Sequence, residues 1–430
     1  MNRNHMFIEK GVLRGYSGND AKVIIPDTVK HIGERAFKDH SDLTEVVIPN
    51  SVTDIGFEAF SGCDKLEKIT LPESIKIIGT DAFLGTAWLE KYPDDLVVIN
   101  NILIKYKGND SEIVIPDTVT RIGNESFIGC SKLEKITIPD SVTSIGIDAF
   151  SGTAWLENYP DDFIIVNGIL VKYKGKEFDV NIPNNVTKIG EGAFKDCNDI
   201  DEVKIPASVT AIEYAAFMNS SLIKITIPNS VVSISELAFS DCGILQEITL
   251  PDSITQIVYE TFSGSGIERI SIPDSVTVIG YGAFMGCFDL KKITLSKSLT
   301  EIDHKAFQDC EHLKEIIFPE TLVKIGYSAF TNCGFEKVII PDSVVEISGD
   351  AFDYCQNLKE VSLSKSLKCI ASGVFAGCSK LISITIPDSV TSIGDCAFEN
   401  CTSLTSVKIP DSVTNIGENV FEGCASLKQE

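Results

Sequence analysis

One motif recurs sixteen times along the 430 residues at a spacing of 22 or 23 residues, or 44 across two insertions, and no other feature constrains the fold as strongly. Its clearest copies are IPDSVTSIGDCAFENCTSL around Pro387 and IPDSVTNIGENVFEGCASL around Pro410. Anchored on this proline, the copies stand at positions 26, 49, 72, 116, 139, 183, 206, 228, 251, 273, 296, 319, 341, 364, 387 and 410, with Ser296 and Ser364 the only replacements. Six residues after every anchor stands Ile, from Ile32 to Ile416, and eleven after it stands Phe, from Phe37 to Phe421. Invariant apolar columns at such a period predict a solenoid, in which each coil buries its apolar side against its neighbours. Residues 1–430 therefore read as one elongated domain of 16 coils, although length alone would suggest about three domains.

One copy shows how a coil is built. In LEKITIPDSVTSIGIDAFSGT, Ile136 and Ile138 alternate with Lys135 and Thr137, a short period-2 strand with one apolar face. Pro139 ends it, because proline cannot donate the next ladder bond. Asp140 and Ser141 form a corner whose side chains bond nearby backbone, and Val142 and Ile145 point inward from a second extended piece. Gly146, a glycine in ten copies, is expected to permit a turn that a larger residue would strain. A helical turn is expected at IDAF, with Phe150 in the core and Ala149 small where coils approach.

The pattern LxxIxIPxSVTxIGxxAFxxCxxL resembles the BspA-like branch of the leucine-rich-repeat superfamily, found in bacteria and some protozoa, over essentially the whole chain. The resemblance implies a right-handed leucine-rich-repeat solenoid, mostly β with short helical turns, with a ladder of parallel strands on its concave side. It also implies non-enzymatic roles: protein-binding scaffolds, or adhesins displayed on or secreted from a cell that bind host or matrix proteins. It brings no individual functional residues, because such proteins bind through variable surface positions.

The period breaks twice, between Pro72 and Pro116 and between Pro139 and Pro183, each gap being 44 residues. The inserts are copies of one another, GTAWLEKYPDDLVVINNILIKYKG and GTAWLENYPDDFIIVNGILVKYKG. The second reads as a β-hairpin turning at Asn167-Gly168. FIEKGVLRGYSG at the N-terminus is a third copy. The three hairpin modules are placed at about 6–18, 92–108 and 159–175, and the first is expected to cover the apolar side of the opening coil. Trp88 and Trp155, the two tryptophans, precede the inserts and read as wedges holding each hairpin on its coil. The Tyr-Pro-Asp-Asp corners present Tyr92, Asp94 and Asp95, and Tyr159, Asp161 and Asp162, as candidate contacts.

Two residues before each anchor, the strand should show a side chain to solvent. Over the middle coils that column reads Thr226, Thr249, Ser271, Thr294, Ile317 and Ile339, a mild stripe without aromatic rings that is the other candidate interaction surface. Four before the anchor, charged residues of consecutive coils are opposite in sign in nine of eleven steps. In-register parallel strands lie about 4.8 Å apart, where opposite charges help, so this column reads as a self-neutralising ladder. Ten of the sixteen residues just after the anchor are acidic. Lys297, Lys365 and Ala207 interrupt that row, which argues against a calcium site.

Eleven of the thirteen cysteines stand three residues after the repeat Phe. With no CxxC pair and an odd count, they read as a column of buried free thiols in a reducing compartment rather than disulfides or metal ligands. The five histidines form no column, so neither catalysis nor a cofactor is expected. A net charge of -24 disfavours nucleic acid, which requires a basic face. No apolar run approaches the roughly 18 residues of a membrane span. With no secretory signal at Met1, the chain as written is expected to be cytoplasmic, and the resemblance supplies the cell surface as the alternative. The expected partner is a protein. A monomer is favoured over a homodimer packed through the C-terminal coil, where only Lys428, Gln429 and Glu430 follow Leu427.

Overall fold

The computed structural model describes residues 5–427. Contacts divide the chain into two units, Met1–Ile169 and Leu170–Glu430. Each is parallel-strand β-solenoid with almost no helix.

In the first unit, three-residue strands such as Lys22–Ile24, Glu45–Val47 and Lys68–Thr70 pair parallel and in register, Val23 opposite Val46 and Val46 opposite Ile69. The pleat turns the middle residue inward: Val23 and Val46 are fully buried, while Lys22 and Ile24 face solvent. Two-residue strands His31–Ile32, Asp54–Ile55 and Ile77–Ile78 form a second ladder that buries the invariant Ile column.

The return side departs from expectation. Among the described residues α-helix is confined to the four-residue pieces Ala87–Glu90 and Ala154–Glu157. At IDAF the backbone instead turns through a left-handed residue, Asp148 at φ 51°, as Glu58 does at φ 50° in its own coil. That rotation aims the amides at the next coil. The N–H groups of Arg35, Phe37 and Asp39 donate to the carbonyls of Phe57, Ala59 and Ser61 at 2.9, 2.8 and 2.8 Å. A non-glycine residue in this region costs about 1–2 kcal/mol, and a third inter-coil ladder offsets it.

The repeat glycine also has a different role from the one expected. Gly33, Gly56 and Gly146 are not left-handed; the left-handed glycines are others, such as Gly62 and Gly129, both at φ 74°. A β-carbon on Gly56 would lie 2.7 Å from the Glu34 nitrogen and 2.8 Å from the Gly33 carbonyl carbon. This glycine lets two coils touch backbone to backbone.

Each hairpin adds a strand to the short ladder. Met6–Glu9 and Val12–Tyr16 pair antiparallel, as do Leu96–Ile99 and Ile102–Tyr106. Leu13 then pairs with Ile32, and Leu103 with Ile122, in parallel. The turns Lys10-Gly11, Asn100-Asn101 and Asn167-Gly168 all have both φ positive, as a tight two-residue hairpin requires. The chain thus winds about 18 turns, not 16, because each inserted hairpin fills the place of a coil in that ladder.

The core is a file of rings. In the first unit Tyr16 leans on Phe37 at 5.3 Å, and Phe37, Phe60 and Phe83 stack at 4.9 and 5.7 Å before Trp88 closes the file at 5.0 Å. A second file runs Tyr106, Phe127, Phe150, Trp155. In the second unit Tyr173 opens a file of eleven phenylalanines, Phe194 to Phe421, with successive rings 4.8–5.8 Å apart. Tyrosine from a hairpin therefore begins each file, and a tryptophan ends the two that meet an insert. Fifteen of the sixteen repeat phenylalanines are buried. Phe421 in the last coil is half-buried and Ile416 there is 51% exposed. Residues 428–430, which follow that coil, lie outside the described residues.

All thirteen cysteines are free. In nine copies the column thiol donates to the carbonyl of the preceding coil's Phe, as from Cys63 to Phe37 at 2.9 Å and from Cys310 to Phe284 at 3.2 Å. Where an insert follows, Thr86 and Thr153 take this position. Their hydroxyls donate to the Phe83 and Phe150 carbonyls and accept the N–H of Leu89 and Leu156, which caps the short helices. The corner serine reaches the preceding coil in several copies, as Ser141 does to the Val119 carbonyl at 2.8 Å. In others, such as Ser51 and Ser208, the buried hydroxyl has no partner.

Candidate interaction surface

The two Tyr-Pro-Asp-Asp corners lie in the first unit and share one construction. Tyr92 is half-buried, its ring edge-on to Trp88 at 5.5 Å and its hydroxyl donating to the Val98 carbonyl at 2.9 Å. Tyr159 meets Trp155 in the same way at 5.4 Å. Both tyrosines brace the hairpin, whereas Asp94, Asp95, Asp161 and Asp162 are exposed. Lys107 fixes the first corner from below, donating through Nζ to the carbonyls of Leu89, Glu90 and Tyr92 at 3.2, 3.3 and 2.9 Å. Tyr92, Asp94 and Asp95 line a cleft of about 550 Å3 that continues to Tyr106, Asp110 and Glu112. The Tyr106 hydroxyl donates to Asp110 at 3.1 Å, and burial raises its pKa.

The strand stripe lies in the second unit and is exposed throughout. Thr226 pairs in register with Thr249, and Ser271 with Thr294. Between these pairs the long ladder is interrupted, where the coil from Pro251 to Pro273 is one residue short. Ile317 lies in a stretch, 315–317, outside any strand and is 86% exposed; Ile339, in the strand Lys337–Ile339, is 57% exposed. That irregularity coincides with Phe318, which replaces the usual Ile or Leu before the anchor and lies edge-on to Phe330 at 5.6 Å.

Flanking charges are largely matched between coils. Ion pairs join Lys22 to Glu45 (2.7 Å), Lys135 to Glu112 (2.9 Å), Lys224 to Glu247 (3.4 Å) and Lys337 to Glu360 (2.7 Å). The lysine in each pair holds its glutamate below the usual carboxylate range at Glu45 and Glu360. Lys297 and Lys365, which interrupt the acidic row, reach the preceding coil's Asp274 and Asp342 at 3.0 and 3.4 Å.

A column that sequence reasoning passed over is the one eight residues after the anchor. In consecutive coils of the second unit it reads Tyr214, Glu236, Tyr259, Tyr281, His304 and Tyr327. Reading every exposed column for aromatics, rather than the strand stripe alone, would have found it. Among the described residues no cluster of His, Cys, Asp and Glu is arranged to hold a metal ion, and no helix is long and apolar enough to cross a membrane.

Comparison with known proteins bears on the whole array. The model of the BspA-type leucine-rich-repeat region matches residues 12–93, 97–160, 173–291, 277–401 and 368–429. The chain belongs to the BspA-type leucine-rich-repeat family. A leucine-rich-repeat protein from Bacteroides ovatus is 28% identical over 98% of this chain and 90% of its own, with a TM-score of 0.47. A leucine-rich cell surface protein from Faecalibacterium prausnitzii is 26% identical over 97% of this chain and 89% of its own, with a TM-score of 0.28. The T. pallidum leucine-rich-repeat protein is 25% identical over 60% of this chain and 82% of its own, with a TM-score of 0.28. No curated protein matches the chain significantly. Members of this repeat family are typically non-enzymatic scaffolds.

Proposed function

We propose that the protein is a non-catalytic scaffold that binds a partner protein through exposed columns of its coils. One observation carries this reading: invariant columns are spent on coil-to-coil contact, while variable ones reach solvent. Buried Ile and buried Phe each recur in fifteen of the sixteen repeats, and buried Cys in eight, whereas the exposed strand stripe changes from Thr226 to Ser271 to Ile317. A rigid frame with a variable face serves recognition, and the frame leaves the ligand open. The histidines with assigned partners serve local structure: His31 bonds Asp54 of the next coil at 2.6 Å, and His304 accepts the Tyr327 N–H at 2.8 Å.

Family membership favours a second, narrower reading, because BspA-like leucine-rich-repeat proteins are often surface-associated. On that reading the same scaffold is a surface-displayed or secreted adhesin for host or matrix proteins. Affinity capture from the source cells, followed by cross-link mapping, tests the scaffold. The expected result is a saturable protein partner whose cross-links fall in exposed columns. Absence of any saturable partner, or turnover of a small molecule, contradicts it. Fractionating those cells then separates the two readings: an adhesin is labelled by a reagent that cannot enter the cell, and a cytoplasmic scaffold is not.

A further inference from the structure

The column that begins at Tyr214 differs from the other exposed columns of the second unit. Tyr214, Tyr259 and Tyr327 are 38%, 43% and 45% exposed. The rings of Tyr259 and Tyr281 stack at 5.2 Å with 6° between their planes. His304 and Tyr327 instead lie edge to face at 6.4 Å, with 86° between their planes, so the aromatic rib is stacked only in part. Five coil steps of about 4.8 Å separate Tyr214 from Tyr327, about 24 Å, which roughly seven residues of extended peptide would span.

Charge on this rib has no lysine partner. Some carboxylates of the strand ladder and the acidic row do, Glu45, Glu247, Glu360, Asp274 and Asp342 each meeting a lysine of an adjacent coil at 2.7–3.4 Å. Glu236 stands in the rib between Tyr214 and Tyr259, and Glu260 adjoins Tyr259; among the described residues neither takes part in an ion pair. Burial together with the charge of Glu260 pushes the Glu236 carboxyl above the usual range. Two adjacent uncompensated carboxylates beside tyrosine rings favour a cation from outside, which takes charge from the first and cation–π contact from the second.

Building on the scaffold reading, we propose that this rib docks an extended, arginine- or lysine-rich segment of a partner protein. Glu236 and Glu260 receive its cations, and the flanking tyrosines supply the anchoring contacts that such hot spots commonly use. The net charge of -24 steers a basic segment toward the chain, and the rib gives it a place.

The test is fluorescence anisotropy with the full chain and a labelled seven-residue peptide alternating Arg and Ser, beside its Glu–Ser counterpart, at 150 mM salt. The basic peptide is expected to bind saturably and the acidic one not at all. Glu236→Gln with Glu260→Gln should weaken binding at least tenfold, and Tyr214→Ser with Tyr327→Ser should do the same, while Asp27→Asn with Asp388→Asn, both exposed and remote from the rib in sequence, leaves it unchanged. These side chains are partly exposed, and an unaltered melting curve confirms that each variant folds. Equal binding by the wild type and both rib variants, or no binding of the basic peptide, overturns the assignment. If the partner captured from cells binds the rib variants as it binds the wild type, the rib falls while the scaffold reading stands.

Discussion

Phe284 lies fully buried between Phe262 at 5.3 Å and Phe307 at 5.2 Å. Replacing it with Ala removes its burial and leaves a cavity at the middle of the file, a loss of about 3–5 kcal/mol. A denaturant melt should show the midpoint fall accordingly, and an unchanged midpoint would remove the Phe column from the core. Thiol reactivity follows burial in the same way. Burial pushes Cys63 up to about 11 and Cys355 up to about 12, while Cys369 is exposed. Mass spectrometry after brief alkylation should therefore find Cys369 labelled first and Cys355 only on unfolding, and no disulfide in the native chain. Cys396, also off the column, should lag behind Cys369 because Glu399 raises its thiol. Asp353 gives a pH test. Burial, and then the charge of Asp350, push its carboxyl up to about 7, and its Oδ1 is buried with no partner. With the folded value raised, the native state holds a proton that the unfolded chain releases near pH 4. Stability from this group is therefore complete below about pH 4 and lost as pH rises through about 7. The melting temperature of the wild type relative to Asp353→Asn should fall between pH 5 and pH 8; a constant difference would refute the shift.

The three ladders of a coil differ in how plainly their residues announce them. The long strand and the short one follow from alternation and the invariant Ile, and both stand where Ile136 and Ile145 place them. The return segment does not, because IDAF has the composition of a helical turn while in the equivalent ERAF the amides of Arg35 and Phe37 bond the next coil. Local propensity loses there to hydrogen bonds that only stacked neighbours supply. Gly56 is a related case: a conserved column of glycine suggests backbone freedom, yet the residue is needed for closeness. Gly56→Ala should lower stability by about 1–3 kcal/mol through overpacking against fixed backbone. Gly129→Ala meets nothing within 4 Å and should cost only the strain of its left-handed φ. Calorimetry of the two variants checks this, and an equal and small cost for both would return the repeat glycine to a conformational role. The hairpins were legible from their copies and from Asn167-Gly168, but their place in the short ladder was not, since parallel pairing of Leu103 with Ile122 is set by coil geometry rather than by either sequence.

For the molecule as a whole, sixteen copies of one motif make the scaffold readable and leave the recognition face obscure. Columns that recur are packing columns, so periodicity reveals Phe284 and Cys310 at once. The rib from Tyr214 to Tyr327 occupies a column that elsewhere holds Glu34, Thr80 or Asp395, and a column without a consensus gives no periodic signal. The central claim is that each coil is held by three sets of bonds to its neighbours, repeated at the period of the sequence. Amide hydrogen exchange on the native chain, resolved by residue, tests it most directly. Slowly exchanging amides should recur every 22 or 23 residues at the long strand, the short strand and the repeat Phe, whose N–H bonds the following coil at 2.8 Å in Phe37, Phe284 and Phe330. Fast exchange at the Phe amides through the middle coils, or protection without that period, would contradict the account.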